Sequence, residues 1–106
     1  MAQRLLARET LPEAAADVDV DAYDRKVLAA YMTPDGRIRA FPAQLKKMEA
    51  ILRHVVKTFE PGQRYPEKQV NQILSAFSED TAYLRRYLVD LHYMDRVGGG
   101  GEYWRV

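Results

Sequence analysis

Residues able to do covalent chemistry are sparse in this chain. It has no cysteine, which excludes disulfides, thiolate zinc sites and thiol nucleophiles. His54 and His92 stand 38 positions apart with no second histidine at helical spacing, so a metal site would need carboxylates brought from elsewhere. Ser75 and Ser78 have no histidine beside them in a nucleophile motif. Gly98 to Gly101 lies between two strand-like stretches, with no following helix to hold a phosphate at its N-terminus. An enzyme is therefore the poorest reading, and no metal or cofactor is expected. The groups left are basic ones. Arg85 and Arg86, with Thr81 before them, fall on one predicted helix; Arg96 and Arg105 fall on two predicted strands; Lys46 and Lys47 fall on a third element. An arginine fork suits phosphate oxygens and the O6/N7 edge of guanine, so the chemistry these residues offer is contact with double-stranded DNA.

The elements that must position them are legible in the pattern. In residues 66–77, Val70, Ile73, Leu74 and Phe77 share one helical face. Pro66 suits a first helical turn and Glu67 suits the positive end of the helix dipole. Ser78-Glu79-Asp80-Thr81 interrupts the pattern with capping residues. Leu84, Tyr87, Leu88 and Leu91 then mark a second helix over 80–92. Residues 93–106 read as a hairpin: Met94 to Val97 and Glu102 to Val106 as strands around glycines free to take positive φ. Two helices joined by a short polar turn, closed by a hairpin, form the order of a winged helix-turn-helix. The expected fold class is thus α+β, mainly α, with a small antiparallel sheet and an added N-terminal helix.

Upstream, residues 42–59 predict the longest helix, opened by Pro42. Its apolar face is Leu45, Met48, Ile51, Leu52, Val55, Val56 and Phe59. Each such side chain contributes about 1.5–3 kcal/mol on burial, so this helix is the expected core. Pro61-Gly62 stops it, and Gln63-Arg64-Tyr65 reads as a third strand for the hairpin. Residues 21–32 predict a helix capped by Asp21, with Tyr23, Val27 and Tyr31 on one face. Thr33-Pro34-Asp35-Gly36 is a turn and residues 37–41 alternate as a short strand. Residues 1–20 read as a flexible or partner-binding arm. Trp104 is expected in the core, with Tyr103 facing outward.

With 106 residues, 47% apolar and 29% charged, the chain reads as one globular domain. No apolar run approaches a membrane span, and the start has too short an apolar stretch for a secretory signal, so a cytoplasmic location is expected. The net charge is only +1. Residues 1–40 carry six Lys/Arg against seven Asp/Glu, and residues 41–106 carry ten against eight. No basic stripe stands out, which weighs against tight DNA binding by a single copy.

Residues from about Arg37 to Arg105 resemble an uncharacterised bacterial domain family of unknown function. The motifs that carry the resemblance are Asp35-Gly36-Arg37-Ile38 with Pro42, Lys46-Lys47 and Leu52; Phe59-Glu60-Pro61-Gly62 with Arg64-Tyr65; and Glu67, Val70-Asn71 and Ile73-Leu74. They continue through Asp80, Leu84-Arg85-Arg86, Leu88-Val89-Asp90, Asp95-Arg96 and Tyr103-Trp104-Arg105. Members of that family occur alone or behind an arsenic-repressor-type helix-turn-helix and are commonly described as transcriptional regulators. The resemblance thus implies a winged-helix fold and adds little on function, since the family itself has no assigned activity. Pro66 departs from the small hydroxyl residue expected as the helix cap, and the bare glycine tip departs from a DNA-gripping wing.

Each basic candidate has a structural alternative. Arg85 and Arg86 are equally suited to ion pairs with Glu79, Asp80 or Asp90, with Arg85 the better DNA contact because it lies farther from the apolar face. Arg96 and Arg105 have Asp95 and Glu102 as cross-strand partners. Lys46, Lys47, Arg53 and Lys57 form a solvated helix face or a phosphate-contacting one. Two functions follow: a DNA-binding transcriptional regulator, expected as a homodimer because residues 21–41 exceed what a winged core needs, or a winged-helix module that binds protein without DNA affinity. Glu79 and Asp80, which would repel phosphates, favour the second.

Overall fold

A computed structural model describes residues 20–99 and 101–106. Most of the arm read over 1–20 therefore lies outside the described residues. The architecture is a small, mainly helical α+β fold. It contains a helix through residues 20–31 (α1), Leu45–Val56 (α2), Arg64–Pro66 (β1), Glu67–Leu74 (α3), Thr81–Asp90 (α4), Met94–Arg96 (β2) and Glu102–Arg105 (β3). The three strands form an antiparallel sheet in the order β1-β3-β2.

The helix α2 is the centre of the core. Met48, Ala50, Ile51, Leu52, Val55 and Val56 are buried along it. Val70, Leu74, Leu84 and Leu88 from α3 and α4 close over it, with Phe59, Tyr65, Phe77, Met94 and Tyr103 completing the cluster. No charged or polar side chain is buried among the described residues. Leu45, expected on the apolar face, is instead 53% exposed. The helix also begins three residues later than Pro42 and ends before Phe59. The Phe41 ring packs on Tyr83 at 4.5 Å and Pro42 is buried, so core packing holds the chain there out of the helix. At the other end the backbone tightens: Phe59 N–H donates to the Val56 carbonyl at 3.1 Å, before Pro61 and Gly62 at φ +82° turn the chain.

The strand expected over 37–41 does not form. Met32 and Ile38 make one isolated antiparallel bridge. Ile38 N–H donates instead to the Phe77 carbonyl at 2.8 Å, beyond the end of α3. Arg37 reinforces that docking, its Nη1 donating to the Ser75 carbonyl at 3.0 Å and the Ala76 carbonyl at 3.4 Å. Cations suit this end of a helix, where carbonyls lack intrahelical partners. The turn that aims Arg37 is built by Thr33, whose hydroxyl bonds the Asp35 carboxylate and accepts from Arg37 N–H at 3.0 Å. The same Thr33 bond is the main reason the Asp35 carboxyl is held below its ordinary pKa. Asp21, expected as the cap of the first helix, lies inside α1.

Residues 75–80 separate α3 from α4. Asp80 caps α4, its Oδ1 accepting from Tyr83 N–H at 3.2 Å. The helix stops at Asp90 rather than 92 because His92 adopts a left-handed conformation, φ +67°. Tyr93 N–H then reaches back to the Leu88 carbonyl at 2.9 Å and His92 N–H to the Val89 carbonyl at 3.1 Å, a Schellman closure with histidine where glycine is usual. Pro66 ends β1 on the sheet edge, where its missing N–H leaves no ladder bond unmade, and it starts α3 with no side-chain cap. In the sheet Tyr103 pairs with Tyr65 and Arg96 on the inner face. Tyr103 is 2% exposed, whereas Trp104 is partly exposed on the outer face beneath the Arg64 guanidinium at 4.2 Å. The inward ring is thus Tyr103, not Trp104, because register with Tyr65 fixes which residues point to the core.

Candidate nucleic-acid interface

The sheet's inner face, the start of α3 and the exposed side of α4 enclose a shallow depression of about 270 Å³, lined by Glu67, Ala82, Arg85, Arg86, Val89, Asp90, Arg96 and Tyr103. Helical spacing puts Ala82, Arg86, Val89 and Asp90 on the side of α4 away from buried Leu84 and Leu88. Strand alternation brings Arg96 to the same place, since it pairs with Tyr103.

The two adjacent arginines of α4 differ. Arg85 has a side chain only 21% exposed and is tied down: it donates to the Asn71 side-chain oxygen, and its Nε lies 3.9 Å from Glu67 Oε1. The Tyr103 hydroxyl donates to that same Glu67 oxygen at 3.0 Å. The chain Tyr103–Glu67–Arg85–Asn71 thereby links β3, α3 and α4. Arg85 was expected to be the more exposed of the pair, with Glu79, Asp80 or Asp90 as partners. Its observed partners come from α3 because the two helices pack side by side, a proximity invisible in sequence spacing. Arg86 and Arg96 are exposed, and neither has an ion-pair partner within 4 Å among the described residues.

The remaining candidates lie elsewhere. Thr81, half-buried, follows the Asp80 cap at the start of α4 and does not line the depression. Arg105 turns to the opposite end of the sheet, donating to the Phe59 carbonyl at 3.2 Å. Lys46 and Lys47 lie over the Tyr23 and Tyr31 rings of α1 at 4.9 and 5.8 Å. They and the buried Val27 and Met32 pack α1 onto its own core. Glu102, a suggested partner for the hairpin arginines, pairs with Arg64 at 3.3 Å. Glu79 and Asp80 are exposed at the start of α4.

One cluster was not anticipated. Arg53 of α2 grips Asp24 of α1 with a two-pronged bond, Nε to Oδ2 and Nη2 to Oδ1, both 2.8 Å. Its Nη1 donates to the Tyr93 hydroxyl at 3.3 Å, and that hydroxyl donates to Glu49 Oε1 at 2.8 Å. The Asp24 hydrogen bond above all raises the Arg53 pKa, and burial followed by Glu49 raises that of Tyr93. The sequence signal was only the acid Asp24 on a helix facing a basic one. His54 meets the Phe77 ring edge-on at 6.0 Å. Among the described residues no three His, Asp or Glu side chains are grouped to hold a metal, and no helix is long and apolar enough to cross a membrane.

No curated protein and no solved structure matches the chain. A family described as uncharacterized proteins conserved in bacteria, DUF2087, matches residues 37–105, from the arginine that caps α3 to the last residue of β3, and the chain belongs to that family.

Proposed function

We propose that the protein is a DNA-binding transcriptional regulator built as a winged helix-turn-helix, with α3 and α4 as the helix pair and β2–β3 as the wing. One observation carries this reading: Arg86 from α4 and Arg96 from β2 stand exposed on one depression with no ion-pair partner among the described residues. A recognition helix and a wing supply phosphate contacts from those two places. A homodimer acting in the cytoplasm belongs to the reading, because doubling the phosphate contacts offsets the net charge of +1.

The test is fluorescence anisotropy of a labelled duplex at several salt concentrations. Two arginines per copy in a dimer give a slope of log K against log salt of about −3.6, reduced to about −1.8 by Arg86→Ala. Absence of duplex binding at low salt refutes the reading. Glu79 and Asp80, exposed at the start of α4, favour a second one: a winged-helix module that binds a protein partner. That reading gains if duplex binding is absent while the chain still self-associates or captures a basic peptide.

A further inference from the structure

We propose that the depression between α4 and the sheet is a seat for a single phosphoryl group, with Arg86 and Arg96 as its ligating forks and Glu67 as the residue that sets its affinity. At about 270 Å³ it lies below the ~300–1,000 Å³ of pockets that enclose drug-sized ligands, which suits a small anion rather than an extended molecule. Three arginines line it against two carboxylates. Arg85 is matched by Glu67, which leaves Arg86 and Arg96 facing Asp90 and a net positive charge at the mouth. Planar guanidinium forks from two elements match the tetrahedral oxygens of a phosphoryl group. Val89, Ala82 and Tyr103 supply the apolar part of its wall.

Glu67 gives the seat a distinctive sign. Its Oε1 is held by Tyr103 and faces Arg85, so the carboxylate is fixed beside the incoming anion. Neutralising it removes that repulsion and leaves the Arg85 charge, still held by Asn71, unmatched beside the ligand. The phosphoryl group comes either from a duplex backbone or from a free phosphomonoester. The duplex source rests on the DNA-binding reading; the seat itself does not.

The experiment is an amide chemical-shift titration of the full chain with inorganic phosphate, at constant ionic strength held with chloride. Shifts are expected at Ala82, Val89 and Arg96. Arg86→Gln and Arg96→Gln each weaken the apparent affinity about tenfold, the scale of one lost charge-assisted fork. Glu67→Gln, which keeps an acceptor for Tyr103, strengthens it several-fold; a purely structural role for Glu67 would weaken it. The proposal is overturned if phosphate moves none of these signals, if chloride alone reproduces the shifts, or if Glu67→Gln lowers affinity while the fold is intact. The same variants are then titrated with duplex. Phosphate binding without duplex binding upholds the seat and removes the DNA reading. Duplex binding insensitive to Arg86→Gln and Arg96→Gln places the duplex contacts elsewhere on the chain and overturns the seat as its phosphate contact.

Discussion

Removing Asp24 should cost the protein about 2 kcal/mol, although Asp24 belongs to no candidate site. The figure comes from the geometry of its bond to Arg53. Both prongs are 2.8 Å long, and the paired side chains are 32% and 18% exposed. A fully solvated pair would contribute about 0.2–1 kcal/mol and breaking a buried one would cost about 3–5 kcal/mol. The Arg53–Asp24 pair lies between these limits, because about one third of the Arg53 side chain is exposed. Asp24→Ala also leaves Arg53 donating only to Tyr93, which weakens the contact among α1, α2 and the segment entering β2. A loss of about 2 kcal/mol lowers Tm by roughly 9 °C in a domain of this size. The assay is urea and thermal unfolding followed by circular dichroism across a double-mutant cycle of Asp24→Ala and Arg53→Met. A coupling energy of about 1–1.5 kcal/mol is expected. Coupling within the ~0.3 kcal/mol seen for independent sites would show that the two-pronged bond is not made in solution, and with it the docking of α1 drawn here.

Three other outcomes follow from the same structure. Arg37→Met should cost about 0.5–1 kcal/mol in urea unfolding, because two carbonyls beyond α3 lose their donor; an unchanged midpoint would exclude that cap. His92→Gly should stabilise by about 0.5 kcal/mol, the relief of about 1–2 kcal/mol of left-handed strain less the added chain entropy of glycine, while His92→Val should destabilise. Tyr93 has a folded pKa raised above its ordinary value of about 10, mainly by burial and then by Glu49. Between its unfolded and folded pKa the native state keeps a proton that the unfolded state has released. Stability is therefore level below about pH 10 and falls above it, and Tyr93→Phe should remove that part of the fall in urea midpoints.

The strongly periodic elements could be read from the sequence, and the unpaired polar ends could not. The α2 face, the interruption at 78–81 and the third strand near Arg64 follow from apolar spacing and punctuation, and the structure contains all of them. The errors fall where tertiary bonds outweigh local pattern. Residues 37–41 alternate like a strand, yet Ile38 gives its N–H to Phe77, more than thirty residues away. His92 ends a helix whose apolar pattern runs to Leu91, since nothing in the spacing marks a non-glycine residue for the left-handed region. Tyr103 and Trp104 were interchanged because size alone does not say which strand face a ring takes. At the candidate site, three of the seven basic or polar residues first singled out, Arg85, Arg86 and Arg96, come together on one depression. Sequence could not separate Arg85 from Arg86, because the distinction rests on Asn71 and Glu67 arriving from the neighbouring helix.

The strand order β1-β3-β2 also fixes a sequence of events in the making of the protein. β3 is the middle strand and the last of the three to be translated, so Arg64–Pro66 and Met94–Arg96 have no partner until it emerges. A released chain cut at Gly101 would have both outer strands without a partner. The sheet therefore closes only when β3 docks, and a chain lacking β3 offers two idle strand edges to any neighbour able to pair with them.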